Sequence, residues 1–253
     1  MHALQPHNAA ASGHYEIRRA DTRGRLNNGW LDARFSFSFG PYRDPTRNRF
    51  SALQALNDDV IQPAAGFEMH PHQDLEIFIL PLAGAVEHRD SLGNHAIVRP
   101  GEVQKMTAGS GIWHSQMNAS SDEQDHHLQI WLLPRTKGLQ PGIAQRRFDR
   151  EGRIGRWQVL ISEDGREDSL TVDQDAIVMR AALQGSGSLP YRTTEGRSAY
   201  LHVIEGEVWF RSDDGSLHTL VAGDAVAMPD NGSFTVEARS ATADILLFDL
   251  PPL

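Results

Sequence analysis

Three histidines carry the chemistry most plainly written into this sequence. His70 and His72 are one residue apart, so on a β-strand both imidazoles point to the same face. Pro71 between them confines that strand to an edge, an end or a loop. His114 comes much later, after the turn-rich TAGSGI, and Gln116, an oxygen donor, stands two positions beyond it. Two same-face pairs on separate strands can converge on one ion. Three imidazoles suit Fe, Mn, Co, Ni, Cu or Zn and leave positions open for water or substrate. The competing reading is a histidine cluster that only makes hydrogen bonds. Glu76 follows His72 by four, which puts it on the same face of a regular strand, as a metal ligand or as acceptor of a proton from a ligand imidazole. Asp74 is also in phase but lies near an expected bend. Glu87, His88, Arg89 and Asp90 read as a solvated charged corner, and His126 and His127, after the acidic SSDEQD, as surface residues.

The elements that position these groups are strands. The chain has 253 residues, 40% of them hydrophobic, with 22 Gly and 13 Pro and no stretch that sustains an amphipathic helix. Phe35, Phe37 and Phe39 recur at period two and ask for an apolar interior, while Ser36 and Ser38 face the other way. From Leu53 to Pro134 short strands alternate with Gly, Pro and Asp turns. Residues 136–156, rich in Gly, Arg and Gln, read as a crossing, and a second run of strands follows. The expected division is a disordered tail at 1–14, holding His2 and His7, a metal-binding unit at 15–135, the crossing, and a second unit at 157–253.

The two runs repeat. Gly84, Gly93, Gly101 and Met106 recur 122 positions later as Gly206, Gly215, Gly223 and Met228, and GEVQKM is answered by GDAVAM. The expected fold is therefore all-β, two tandem β-barrels of jelly-roll type. The same offset carries His70, His72, His114 and Gln116 to Arg192, Thr194, Val236 and Ala238, none of them a convincing ligand. Chemistry belongs to the N-terminal copy, and the second copy is structural or covers the mouth of the first.

Composition excludes several functions. With no cysteine there are no disulfides, thiolate sites or cysteine nucleophiles, and any metal rests on N and O donors. A net charge of -9 repels phosphates and argues against direct nucleic-acid binding. No apolar run reaches membrane-spanning length, and MHALQPHNAAASG lacks the pattern of a secretory signal, so the expected location is cytoplasmic. GxGxxG, GxSxG and GxxxxGK[ST] are all missing.

The motifs RGRLNNGWLDARFSFSFGPYRDP, LNDDVIQPAAGFEMHPHQDLEI, GAVEHRDSLGN and PGEVQKMTAGSGIWHSQMN closely resemble the pirin family of bicupins. The resemblance covers roughly residues 20 to 135, with a weaker, degenerate second cupin after Gly138. It implies a monomer of two cupins (jelly-roll barrels) holding one non-haem divalent metal, usually iron, on His70, His72, His114 and the residue at 116. It also implies cleavage of the flavonol quercetin by dioxygen, as in several bacterial relatives. The rival implication is a non-enzymatic, metal- or redox-responsive transcription cofactor with protein partners, as in mammalian relatives. This chain departs from the family in reading HSQ where relatives read HSE, and at Phe35 and Ser36, where relatives often have His and Thr. Gln116 keeps an oxygen but loses a charge, and a neutral amide is no base at pH 7. Glu76 is the fallback both as fourth ligand and as catalytic base.

Overall fold

A computed structural model of the chain describes residues 15–230 and 233–252; the tail expected at 1–14, with His2 and His7, lies outside the described residues. The fold is built almost wholly of strands, with three short 3-10 turns between them. Among the described residues no helix is long and apolar enough to cross a membrane.

The strands form two copies of one arrangement, a seven-stranded sheet facing a four-stranded one. In the N-terminal half the large sheet runs Gly142–Arg147, Glu102–Thr107, Glu76–Ala83, Asp125–Leu132, Leu53–Ile61, Leu31–Phe35, Gly24–Asn27, and the small sheet Gly66–His72, Ile112–Asn118, Val86–Asp90, His95–Val98. In the C-terminal half the large sheet is centred on Ser198–Glu205, Thr242–Leu250 and Ile177–Gln184, and the small one on Ser233–Ala238 and Glu207–Ser212.

The expected closed barrels are not found. Among the described residues no ladder of hydrogen bonds joins a large sheet to its small partner, so each half is an open sandwich. The reason is local. Where the chain passes between sheets it does so through sharp turns that interrupt pairing, at Asp74 (φ 52°) and at Gly84 (φ 67°). Free edges are instead capped by distant segments. Glu16–Arg18 pairs with Ala225–Met228 of the other half, and Gly142–Arg147, inside the expected crossing, pairs with Glu102–Thr107.

The repeated glycines hold equivalent turns. Gly84 and Gly206 both have positive φ, and a Cβ at either would meet a backbone carbonyl oxygen at 2.4 Å, that of Gln124 or Thr242. Met106 and Met228 are both buried.

The two large sheets pack face to face. Phe78, Leu80 and Leu128 from one meet Tyr200, Leu246 and Phe248 from the other in a single apolar cluster. The aromatic triplet divides between two environments, and the strand Leu31–Phe35 stops at its first member. Phe37 joins the cluster between the halves, while Phe35 and Phe39 stay together in the first sandwich, their rings stacked at 5.5 Å, and Phe39 also lines a cavity.

The interiors of the two sandwiches differ. The second holds one continuous apolar cluster, whereas the first holds three small ones. At register, Asn57 and Asp59 stand opposite Gln129 and His127 in the first half, and Met179 and Ala181 opposite Leu247 and Ile245 in the second. One copy of the fold thus carries a buried polar seam where the other carries hydrocarbon.

Candidate metal centre

Strand Gly66–His72 lies antiparallel to Ile112–Asn118, with His70 directly opposite His114 and His72 opposite Ile112. Period-two geometry therefore brings three imidazoles to one face, their ligand atoms all within 4.8 Å of one another. The rings lie 4.5 to 5.0 Å apart by centroid, and Trp131 packs edge-on against His72.

The electrostatics of this cluster suit a cation. His70 Nδ1 lies 2.7 Å from the Glu68 carbonyl oxygen, to which it donates when it carries the proton, leaving Nε2 as a free lone pair. His114 is 2% exposed, and neither of its ring nitrogens has a hydrogen-bond partner. Burial, and then repulsion from His70, His72 and His88, lowers its pKa to about 2. Burial and then His70 lower that of His72 to about 4. Both rings are neutral at physiological pH, and the buried nitrogens of His114 lack the partner that buried polar atoms require. A metal ion fits these residues, since it would take the lone pair of one His114 nitrogen and its donor set would be imidazole nitrogen.

Gln116 lines the same cavity as His70 and His72, beyond a register shift between His114 and Gln116. Its Nε2 lies 2.8 Å from Nε2 of His127, whose Nδ1 in turn lies 2.8 Å from Asp125 Oδ2. With Nδ1–H donating to Asp125, the Nε2 lone pair accepts from the Gln116 amide and Oε1 is turned away from His127. If Nε2 instead carries a proton, the amide must reverse. Burial opposes charge on His127, yet the hydrogen bond to Asp125 and the carboxylates of Asp125, Asp59 and Asp58 hold its pKa above the ordinary value. Burial pushes Asp59 up to about 6 although His127 pulls it down.

The sequence reading puts His127 on the surface, and the structure buries it completely; only His126 is partly exposed, held by Asp58 at 2.7 Å. The overlooked signal is alternation: Asp125, His127, Gln129 and Trp131 share one face of the strand Asp125–Leu132. The corner at 87–90 alternates in the same way, for His88 and Asp90 are buried while Arg89 is exposed.

Glu76 is not brought to the cluster. Asp74 adopts the left-handed conformation, donates its amide to Gly109 O and accepts the Gly138 amide on Oδ1, ending the strand that a regular spacing would continue. Glu76 therefore belongs to the large sheet, where Thr107 Oγ1 donates to its carboxylate at 2.8 Å and Lys105 Nζ lies at 3.7 Å.

The cavity beside the cluster measures about 690 Å³. Its walls are aromatic at Phe39, Phe67 and Trp131 and polar at Arg43, Asn48 and Gln54, and no carboxylate lines it. Among the described residues none beyond Trp131 lines it either, and the segment around Ser38–Asn48 contributes Ser38, Phe39, Gly40, Arg43 and Asn48 to its wall. In that half, Leu189 and Tyr191 stand opposite Val236 and Phe234, where His70 and His72 stand opposite His114 and Ile112. The sequence offset had pointed to Arg192 and Thr194; the register drifts by three, and the equivalent positions carry no ligand either way.

Comparison with known proteins gives a consistent result. Residues 16–132 match the family model Pirin, and residues 159–250 match the model of the quercetinase C-terminal cupin domain. The quercetin 2,3-dioxygenase of Escherichia coli K12 is 41% identical over 237 residues, which cover 94% of this chain and 99% of that protein. The crystal structure of a bacterial pirin from Escherichia coli in complex with nickel(II) matches with a TM-score of 0.87 at 40% identity, covering 94% of this chain and 100% of that one. A quercetin 2,3-dioxygenase from Acinetobacter baumannii shares the fold, with a TM-score of 0.72 at 20% identity over 94% of this chain and 79% of that one.

Proposed function

This chain belongs to the pirin family, and from that premise we propose that it is a metal-dependent dioxygenase of the quercetinase type, acting on planar hydroxylated aromatics such as flavonols. His70, His72 and His114 would hold one divalent ion, with Gln116 as a fourth, weaker contact. The observation that carries this reading is the convergence of three imidazoles, one with both nitrogens buried and unpartnered, beside an aromatic-walled cavity.

When bound, the ion supplies Lewis acidity that lowers the pKa of a coordinated phenol. The protein's own residues do the rest. Phe39, Phe67 and Trp131 offer faces and edges on which a flat ring stacks, and they exclude water from it. Arg43 brings a fixed positive charge to the same cavity; its Nη1 donates to the carbonyl oxygens of Gly40 and Tyr42, which leaves other guanidinium N–H groups for a phenolate. Glu76 does not serve as base in this reading, because Thr107 and Lys105 hold it outside the cavity. Gln116 orients substrate or ion and takes up no proton.

Iron is the ion that the family resemblance implies, and nickel is the ion in the Escherichia coli structure. A set of imidazoles takes either. Oxygen uptake and carbon monoxide release with quercetin, on protein of measured metal content, test the proposal. Turnover proportional to bound metal is the expected result, and a fully loaded protein that consumes no oxygen would overturn it.

A further inference from the structure

A second cavity, of about 440 Å³, lies at the seam between the halves, where Pro81 and Pro100 approach Ile204 and the 3-10 turn Arg150–Arg153. Three guanidiniums line it, those of Arg150, Arg153 and Arg180. Arg180 is spent on Asp244, with Nε at 2.7 Å from Oδ1 and Nη2 at 2.9 Å from Oδ2. Arg153 is 6% exposed, and its Nε has no hydrogen-bond partner; the same Oδ2 of Asp244 is 3.7 Å away, beyond hydrogen-bond reach. Its Nη1 makes one long contact, 3.5 Å, to the Phe148 carbonyl oxygen.

Two buried guanidiniums thus share one buried carboxylate. The cavity's other carboxylate, Glu205, is exposed and pairs with none of the three arginines, and His126 at the rim is committed to Asp58. A buried charge without its counter-charge is costly, and a fold retains one where something else completes it. The contrast with a chain of net charge -9 sharpens the point, since three cations converge here against the overall sign. Burial, and next the repulsion of Arg180, lowers the pKa of Arg153, with the carboxylates of Asp244 and Glu151 opposing.

We propose that this seam binds a small oxyanion, a phosphate or a dicarboxylate, through Arg150 and Arg153, with Arg180 and Asp244 fixing the geometry. The guanidinium fork matches the oxygens of either group, and a site bounded by both halves would tie their relative position to occupancy. This site is separate from the histidine cavity, with which it shares no lining residue.

The test is calorimetric titration of inorganic phosphate, and separately of succinate, into the full-length metal-loaded protein at constant ionic strength. Saturable binding of either anion near one per chain is expected. Arg153→Lys should weaken it roughly tenfold, consistent with loss of a charge-assisted hydrogen bond. Arg150→Ala, at an exposed position that does not threaten folding, should weaken it severalfold, with metal content unchanged in both. Heats and melting shifts no larger than those of chloride would overturn the proposal. So would binding that both variants retain at full strength, since the anion would then sit elsewhere, for instance at the metal.

Discussion

His114 has two buried nitrogens and no hydrogen-bond partner for either, so its substitution would remove a proposed ligand without breaking any side-chain hydrogen bond of the fold. We predict that His114→Ala abolishes stoichiometric metal while the protein stays folded, measured by elemental analysis beside circular dichroism; retained metal would place the ion elsewhere. Gln116→Glu restores a carboxylate to the cavity wall and should tighten metal binding by on the order of tenfold, read by competition with a chelator. His127→Leu should have the opposite effect. It strands the Gln116 amide and leaves Asp125 and Asp59 buried without their imidazole, at a cost of about 3–5 kcal/mol in stability together with weaker metal binding. The three clustered histidines were legible because spacing by two fixes the face of a strand wherever the strand runs. His127 was not, because an acidic stretch and a neighbouring exposed histidine mask its alternation with Asp125 and Gln129. Glu76 was misplaced because a spacing of four keeps phase only along an unbroken strand, and the left-handed Asp74 breaks it.

At the scale of elements, the repeated turns at Gly84 and Gly101, and at Gly206 and Gly223, are also the points where the chain leaves one sheet for another, whereas Gly93 and Gly215 turn hairpins within the small sheets. Gly84 and Gly93 separate two causes of glycine preference. Both have positive φ, but a Cβ at Gly93 meets open space, whereas one at Gly84 would press on the Gln124 carbonyl and on Asp125. Gly93→Ala should therefore cost about 1–2 kcal/mol, the conformational term alone. Gly84→Ala should cost a further 1–3 kcal/mol or so, the scale of overpacking, because backbone cannot yield as a side chain does. Urea denaturation measures both, and equal losses would refute the steric account. Asp125 adjoins the contact, so the Gly84 variant should also disturb the His127 pair. Strand identities and the doubled unit were readable from period and offset. Closure was not, because it depends on whether edges far apart in sequence meet, and here Glu16–Arg18 and Gly142–Arg147 occupy edges of the large sheets.

Across the whole molecule, the two halves are bound by the cluster around Phe78, Leu128, Tyr200 and Phe248, and His202 is buried within the same strand as Tyr200. Burial, and next the positive charge of Arg23, lowers the pKa of His202 to about 3, with Asp58 opposing. The folded protein keeps this ring neutral while the unfolded chain takes up a proton below its ordinary pKa near 6.5, so its contribution to stability is lost as pH falls through that value. At pH 5 the loss is about 2 kcal/mol. Asp59, held up to about 6, acts in the opposite sense, favouring the fold as pH falls from 6 toward 4. The difference between the parent and His202→Leu isolates the histidine: the variant should lose less stability between pH 7 and pH 5, and parallel profiles would show that His202 takes up its proton in the folded state. The same packing decides whether the first half can stand alone. A fragment of residues 1–156 would expose the apolar face of its large sheet, and its segment Glu16–Arg18 would lose the strand Ala225–Met228 on which it pairs. Contiguous apolar faces of this kind drive association. The fragment is therefore expected to aggregate or remain unfolded and to bind no stoichiometric metal, even though it contains every residue of the histidine cavity. Nuclear magnetic resonance of the labelled fragment checks this directly. A dispersed spectrum with one bound ion would mean that the polar seam and the small apolar clusters of the first sandwich suffice without the second.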